Sequence, residues 1–362
     1  RLLESRHTCE LEQDEVISVS GMLPELIQRL GLWRIDTDVF HDRTASRWLA
    51  NSNNTAGKQI FHGFQNQCLG SLQVARRQGL LTVVQLTQPY CWPQIWLTEI
   101  QKWQLPYRRA PRYYLRELEE ARTADFIVAE SSWGVKTLLD YGIPPGKIVK
   151  LSYGVDTELF APRIESRDMS WDCSFICAGQ MSVRKGLHLL LAAWTRLSLP
   201  KARLLLVGTP ADEAGRKSIN NLPSSVEWSP FLRHQDLARV YRQADACVIP
   251  SLNESGCMVA YEAAASGLAC IVSDRAGSLI RHGIEGLVVK AGSLSELQEA
   301  ILKVYQDASL RNTLGHAARQ RALHFTWKDF ARRLVEAYRM MLERKAQQSI
   351  GLSRQPIDVF EL

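Results

Sequence analysis

From residue 58 onward, strand-like runs alternate with helical ones: QIFHG, LTVVQL, DFIVA and KIVKL, then CSFICAG, ARLLLVG, DACVIPS, LACIVSD and GLVV. Parallel strands need long crossover connections, usually helices. The alternation therefore predicts an α/β protein with parallel sheets covered by helices on both faces. It breaks once, at GVDTELFAPRIESRDMSWDCS (154–174), where a polar stretch with Pro162 precedes a fresh apolar strand. The chain's 362 residues also exceed the ~250–300 over which a single core keeps growing. Two doubly wound, Rossmann-like domains are expected, residues 1–162 and 163–325.

No apolar run approaches the ~18–20 residues that span a bilayer, and the opening RLLESRHTCELEQDE lacks the apolar centre of a secretory signal. A soluble, cytoplasmic protein is expected. The eight cysteines show no CxxC spacing and several sit in strand-like runs, so they are expected to be reduced packing thiols. The formal net charge of +6 belongs to the second half: residues 1–162 hold 18 basic and 18 acidic side chains, residues 163–362 hold 26 and 20. That excess is too mild for a nucleic-acid binder, which should cluster Lys and Arg among stacking aromatics. It suits a site for a polyanionic small molecule.

Facing sheets of this kind bind ligands at the C-terminal edges of their strands. In SLNESGCMVAYEAAASGLACIVSD (251–274), Glu254 follows such a strand, and Glu262 comes eight positions later in an Ala-rich helix that Gly267 is placed to stop. If that interval were wholly helical, its ends would stand ~12 Å apart. Paired hydroxyls hydrogen-bond carboxylates, so a ligand with diols at two ends and an anionic middle would fit. The plainer reading is that Glu254 caps the helix and Glu262 pairs with a cation. In AGQMSVRKGLHLLLAAW (178–194), Gly179 closes a strand and Arg184 and Lys185 precede a helix, an arrangement that favours an anion at the helix N-terminus. A solvated Arg-Lys pair at a loop edge is the alternative.

These segments, with ELEEARTADFIVAESSWGVKTLLDYGIPPGKIVKLSYGVDTELFAP before them, resemble the family 4 glycosyltransferases of the GT-B fold over roughly residues 58–345. The resemblance implies a retaining, metal-independent transferase with no cofactor, moving a sugar from a nucleoside diphosphate sugar to a hydroxyl acceptor. It implies that Arg184 and Lys185 bind the diphosphate, Glu262 the ribose hydroxyls and Glu254 the donor sugar. Ser255, Gly256 and Cys257 would bring backbone N–H groups to the donor, and Phe231 and Leu232 would meet the base. It also implies that FTWKDFARRLVEAYRMMLERKAQ (325–347) supplies a helix, 326–346, that crosses back onto the first domain, leaving 347–362 as a tail. The basic and apolar faces of that helix equally suit peripheral contact with an anionic membrane.

The chain departs from the family in places. No histidine follows LTVVQL, where Gln88 is the nearest polar substitute, and Gln180 stands where many relatives carry arginine. His62 ends another strand, where it either lines the cleft or packs. The expected opening strand and Gly-rich loop are not visible, so the first domain reads as lacking its first strand. Asp36-x-Asp38 is a chance DxD in no strand-end setting. A non-catalytic nucleotide-sugar-binding protein is the competing reading. A nicotinamide-dependent oxidoreductase lacks its G-x-G-x-x-G.

Overall fold

The structure, a computed structural model, describes residues 37–51, 59–89, 95, 98, 101–103, 114–163, 170–348 and 357–358. The expected absence of an opening strand, Asp36 and the side chain of Asp38 lie outside the described residues. In chain order, α1 (Thr37–Asn51) leads to β1 (Ile60–Phe64), α2 (Leu69–Arg77), β2 (Leu81–Gln85), α3 (Tyr114–Thr123), β3 (Phe126–Ala129), α4 (Ser132–Asp140) and β4 (Ile148–Lys150). The second series is β5 (Cys173–Ala178), α5 (Leu187–Leu197), β6 (Ala202–Val207), α6 (Glu213–Ile219), β7 (Val226–Ser229), α7 (His234–Gln243), β8 (Ala246–Ile249), α8 (Met258–Ala265), β9 (Ala269–Ser273) and β10 (Gly286–Val289). Helices α9 (Leu294–Gln306), α10 (Ala308–Ala322) and α11 (Trp327–Gln348) follow, then β11 (Ile357–Asp358).

Two parallel sheets result, ordered β1-β2-β3-β4-β11 and β10-β9-β8-β5-β6-β7. All nine apolar runs become strands, because strands covered on both faces must be apolar throughout: β2, β3, β5, β8 and β9 are buried along their whole length. The sequence reading missed two strands. β7 is an edge strand with Glu227 and Trp228 exposed, so it shows no apolar run. β11, inside the expected tail, pairs only Ile357 and Asp358 with Val149 and Lys150. The six described cysteines are free and buried. No described helix is long and apolar enough to cross a membrane.

The second sheet has a core on each face, one around Phe175, Trp194 and Leu204, the other around Ile176, Tyr241 and Tyr261. On the first sheet, Leu81, Val83, Phe126 and Val128 pack against Ala337 and Met341 of α11, with Phe330, Leu334 and Tyr338 alongside. The C-terminal helix therefore returns to the first sheet and spends its apolar face there. Two of its basic residues join the same contact: Arg344 donates to the Gly146 carbonyl at 3.2 Å and Lys345 pairs with Asp125 at 2.7 Å. Met341 is fully buried, so Met341→Ala should cost about 2–5 kcal/mol as a cavity opens. Urea denaturation measures this, and a cost below about 0.5 kcal/mol, typical of surface positions, would mean that the helix does not hold the first sheet.

Candidate active site

Two loops meet at the C-terminal edge of the second sheet. Strand β5 ends at Gly179, whose φ of +120° suits glycine, and a Cβ there would stand 3.5 Å from Lys185 Nζ. The chain then runs through Arg184 and Lys185 to Gly186, in left-handed conformation at the head of α5. A Cβ on Gly186 would come within 2.1 Å of the Pro250 carbonyl oxygen, so only glycine lets this loop press against the end of β8. The Leu252 N–H donates to the Arg184 carbonyl at 2.8 Å and locks the two loops together. Strand β8 opens into the loop 250–257 that carries Glu254, and α8 follows.

The interval from Glu254 to Glu262 is thus helical only from Met258, which corrects the wholly helical spacing considered from sequence. Glu254 does not cap α8, whose N-cap is Cys257 with no side-chain capping bond. Instead its carboxylate accepts from Arg184 Nη1 at 2.6 Å and from Lys185 Nζ at 2.5 Å. Burial pushes the Glu254 carboxyl up, but Lys185 and Arg184 together outweigh it and hold the group at about 2. Burial likewise pulls Lys185 down, and the Glu254 charge more than restores it. The result is a triad with one net positive charge, a buried carboxylate under two half-buried cations, fixed in place before any ligand arrives.

Glu262 sits on α8 with 7% of its surface exposed and accepts from the Tyr241 hydroxyl at 3.3 Å. Phe231, by contrast, is 74% exposed after β7, with Leu232 half-buried beside it. Cys257 donates its N–H to the Gly277 carbonyl at 3.1 Å, so that group is already engaged. Among the described residues, the Ser255 and Gly256 N–H groups have no protein acceptor.

The first sheet reaches this loop from the other side. Glu130, at the end of β3, is fully buried and accepts hydrogen bonds from Ser255 Oγ, Gln85 Nε2 and, at 3.1 Å, the Tyr153 hydroxyl. Ser131 Oγ donates to the Ser255 carbonyl, and Trp133 Nε1 to Asn253 Oδ1 at 2.7 Å. Gly256 fits under this clasp only without a side chain, since a Cβ would meet Tyr153 Cε2 at 2.6 Å and Glu130 Cβ at 2.7 Å. From sequence, FIVAES reads only as a strand and its edge, and marks none of these residues as functional. The available signal was a Glu-Ser pair at the C-terminal edge of a buried strand.

Burial lifts Glu130 from 4.5 to about 7 despite the hydrogen bonds it accepts. An acid raised in this way contributes stability that is full below pH 4.5 and lost as pH rises through about 7. The loss amounts to about 3 kcal/mol. Glu130→Gln should therefore flatten the pH dependence of unfolding free energy between pH 5 and 8. An unchanged slope in urea titrations at the two pH values would show that Glu130 is not the group responsible.

His62 and Gln88 do not join the loop cluster. His62 Nδ1 hydrogen-bonds the Tyr338 hydroxyl of α11 at 2.6 Å, and burial lowers the ring to about 4. It packs the crossing helix onto β1. Gln88 is held by Gln65 at 3.0 Å and by Glu117 of α3 at 3.1 Å, on the first sheet's own side.

Residues 172–307 match the family described as Glycosyl transferases group 1. The chain is 27% identical over 278 residues to D-inositol 3-phosphate glycosyltransferase of Stackebrandtia nassauensis, an alignment covering 69% of this chain and 62% of that protein. It thus spans about six tenths of the length of that relative. Among solved structures, sucrose-phosphate synthase of Thermosynechococcus elongatus superposes with a TM-score of 0.68 at 23% identity, covering 83% of this chain and 79% of that one. HepE of Anabaena, solved with UDP-glucose, gives a TM-score of 0.65 at 16% identity and 82% coverage of each chain. The segment 172–307 is a group 1 glycosyltransferase-type domain, set in a chain that has the GT-B fold.

Proposed function

We propose that this chain is a retaining, metal-independent glycosyltransferase that takes a sugar from a nucleoside diphosphate donor to a hydroxyl acceptor. The observation that carries the reading is the Arg184–Lys185–Glu254 triad beside Gly179, on the loop that leads into α8, the helix that carries Glu262. HepE binds UDP-glucose in a similar fold, and a uridine diphosphate donor suits the same arrangement here. The diphosphate lies against Arg184 and Lys185, the ribose hydroxyls donate to Glu262, and Phe231 offers an exposed ring to the base.

In this reading the chemistry is mainly electrostatic. As the glycosidic bond breaks, negative charge grows on the leaving diphosphate, and cations already held in place stabilise that state more than the ground state. Glu254 holds both cations in orientation, its charge keeps the half-buried Lys185 protonated, and its carboxylate is placed to accept from donor-sugar hydroxyls. The free Ser255 and Gly256 N–H groups add donors without any charge of their own. Closure of the first sheet over this loop through Glu130 and Ser131 brings the acceptor-side domain to the donor.

The test is nucleotide binding by a Glu262 variant. Hydrogen bonds to a charged partner are worth about 1.5–3 kcal/mol, so Glu262→Gln should weaken uridine diphosphate binding by about tenfold to a hundredfold in calorimetry. Chelator should leave the parent's affinity unchanged. Binding that needs a divalent ion, or survives Glu262→Gln intact, contradicts the assignment.

A further inference from the structure

Behind α8, at the opposite end from the Glu254 loop, a cavity of about 170 Å³ opens where Pro162 and Arg163 meet α7, α8 and α10. Its lining includes Arg163, Arg242, Arg311, Asp245, Ser266 and Asn312. The Ser266 hydroxyl there is buried, and among the described residues it has no hydrogen-bond partner. Arg311 is also buried, and one of its guanidinium nitrogens serves the Val304 and Tyr305 carbonyls at 2.7 and 3.2 Å. Arg242 serves the Leu159 carbonyl at 2.9 Å. Among the described residues, no carboxylate lies within 4.0 Å of either guanidinium. Asp245 is committed elsewhere, to the Ser174 N–H at 2.8 Å and to Arg163 at 3.4 Å.

Buried polar groups are normally satisfied, and a guanidinium offers five donors in a fork that matches tetrahedral oxyanions. Carbonyls use only part of that capacity here. The C-terminal ends of α7 and α8 turn partial negative charge toward the cavity, which explains why arginines are needed around it, but it does not explain an orphaned hydroxyl. One ligand class answers both the unused donors of Arg242 and Arg311 and the orphaned Ser266 hydroxyl: a group that accepts from all three at once and carries negative charge.

We propose that this cavity is a binding site for a phosphate-class oxyanion, either free or as the ester of a small molecule, separate from the donor cleft. The proposal does not depend on the donor reading. Tyr241 lines the cavity and also bonds Glu262, so the two sites share one side chain.

The experiment uses the full chain carrying Arg184→Ala and Lys185→Ala, which removes the other anion-binding cluster, and titrates inorganic phosphate in an oxyanion-free buffer. Saturable binding is expected, weakened about tenfold or more by Arg242→Gln, as loss of a charged hydrogen bond implies, and also weakened by Ser266→Ala. In crystals soaked with tungstate, an anomalous peak is expected within hydrogen-bonding distance of Ser266 Oγ. Glycerol 3-phosphate binding much tighter than phosphate identifies an ester as the ligand, and equal affinity identifies the free anion. No saturable binding, or tungstate only at other places, overturns the proposal. Affinity unchanged in both Arg242→Gln and Ser266→Ala overturns it even if phosphate binds somewhere.

Discussion

Replacing Arg184 and Lys185 together by alanine should weaken uridine diphosphate binding by about a hundredfold to ten-thousandfold. Two charge-assisted hydrogen bonds at ~1.5–3 kcal/mol each convert to that range at ~1.4 kcal/mol per factor of ten. The substitution has a second consequence that a pair of solvated surface cations would not show. Glu254 loses both partners while still 7% exposed, so its pKa should climb from about 2 past the ordinary 4.5. Removing the partners of a buried charge typically costs about 3–5 kcal/mol. Calorimetry with uridine diphosphate and urea denaturation read the two effects separately. Affinity within about threefold of the parent would place the diphosphate elsewhere.

Glu254→Gln should do something different from Glu262→Gln, although both remove one carboxylate from one short segment. With its pKa held at about 2 instead of 4.5, Glu254 contributes stability that is present above pH 4.5 and lost as pH falls through about 2. That contribution is about 3 kcal/mol. Glu254→Gln forfeits it at pH 7 and leaves Arg184 and Lys185 facing each other without a counter-ion. The same change strips a negative charge from the proposed diphosphate subsite, so nucleotide affinity should hold or rise while sugar transfer falls. Equal loss of nucleotide affinity in the Glu254 and Glu262 variants would sink this division of roles.

The sheets were legible because a parallel sheet buried on both faces must be written as apolar runs, and nine such runs stand in order. β7 was not, since an edge strand can leave Glu227 and Trp228 in solvent, and β11 is too short for any pattern. Arg184, Lys185 and Glu254 were each legible as polar residues in places where a helix start or strand end made them noticeable. Their union into one triad was not, because it depends on the close approach of two loops at Gly186 and Pro250, which no local pattern encodes. The Glu130 clasp was hidden for the same reason. It joins residues 125 positions apart, and a glutamate at a strand end looks locally like any solvated one. His62 reads as a cleft residue by its position near a strand end. In the structure, its neighbour across the sheet face is Tyr338, a partner nearly at the other end of the chain.

Stabilisation of the folded chain by intact nucleotide sugars tests the central claim most directly, because only the folded chain presents the triad and Glu262 together. A ligand that binds the folded state alone adds ~2.7 kcal/mol at a hundred times its dissociation constant. Thermal unfolding in the presence of UDP-glucose and related nucleotide sugars should rise for at least one of them, and the gain should vanish in the Arg184→Ala, Lys185→Ala chain. No shift with any nucleoside diphosphate sugar, or the same shift in that variant, would contradict the account.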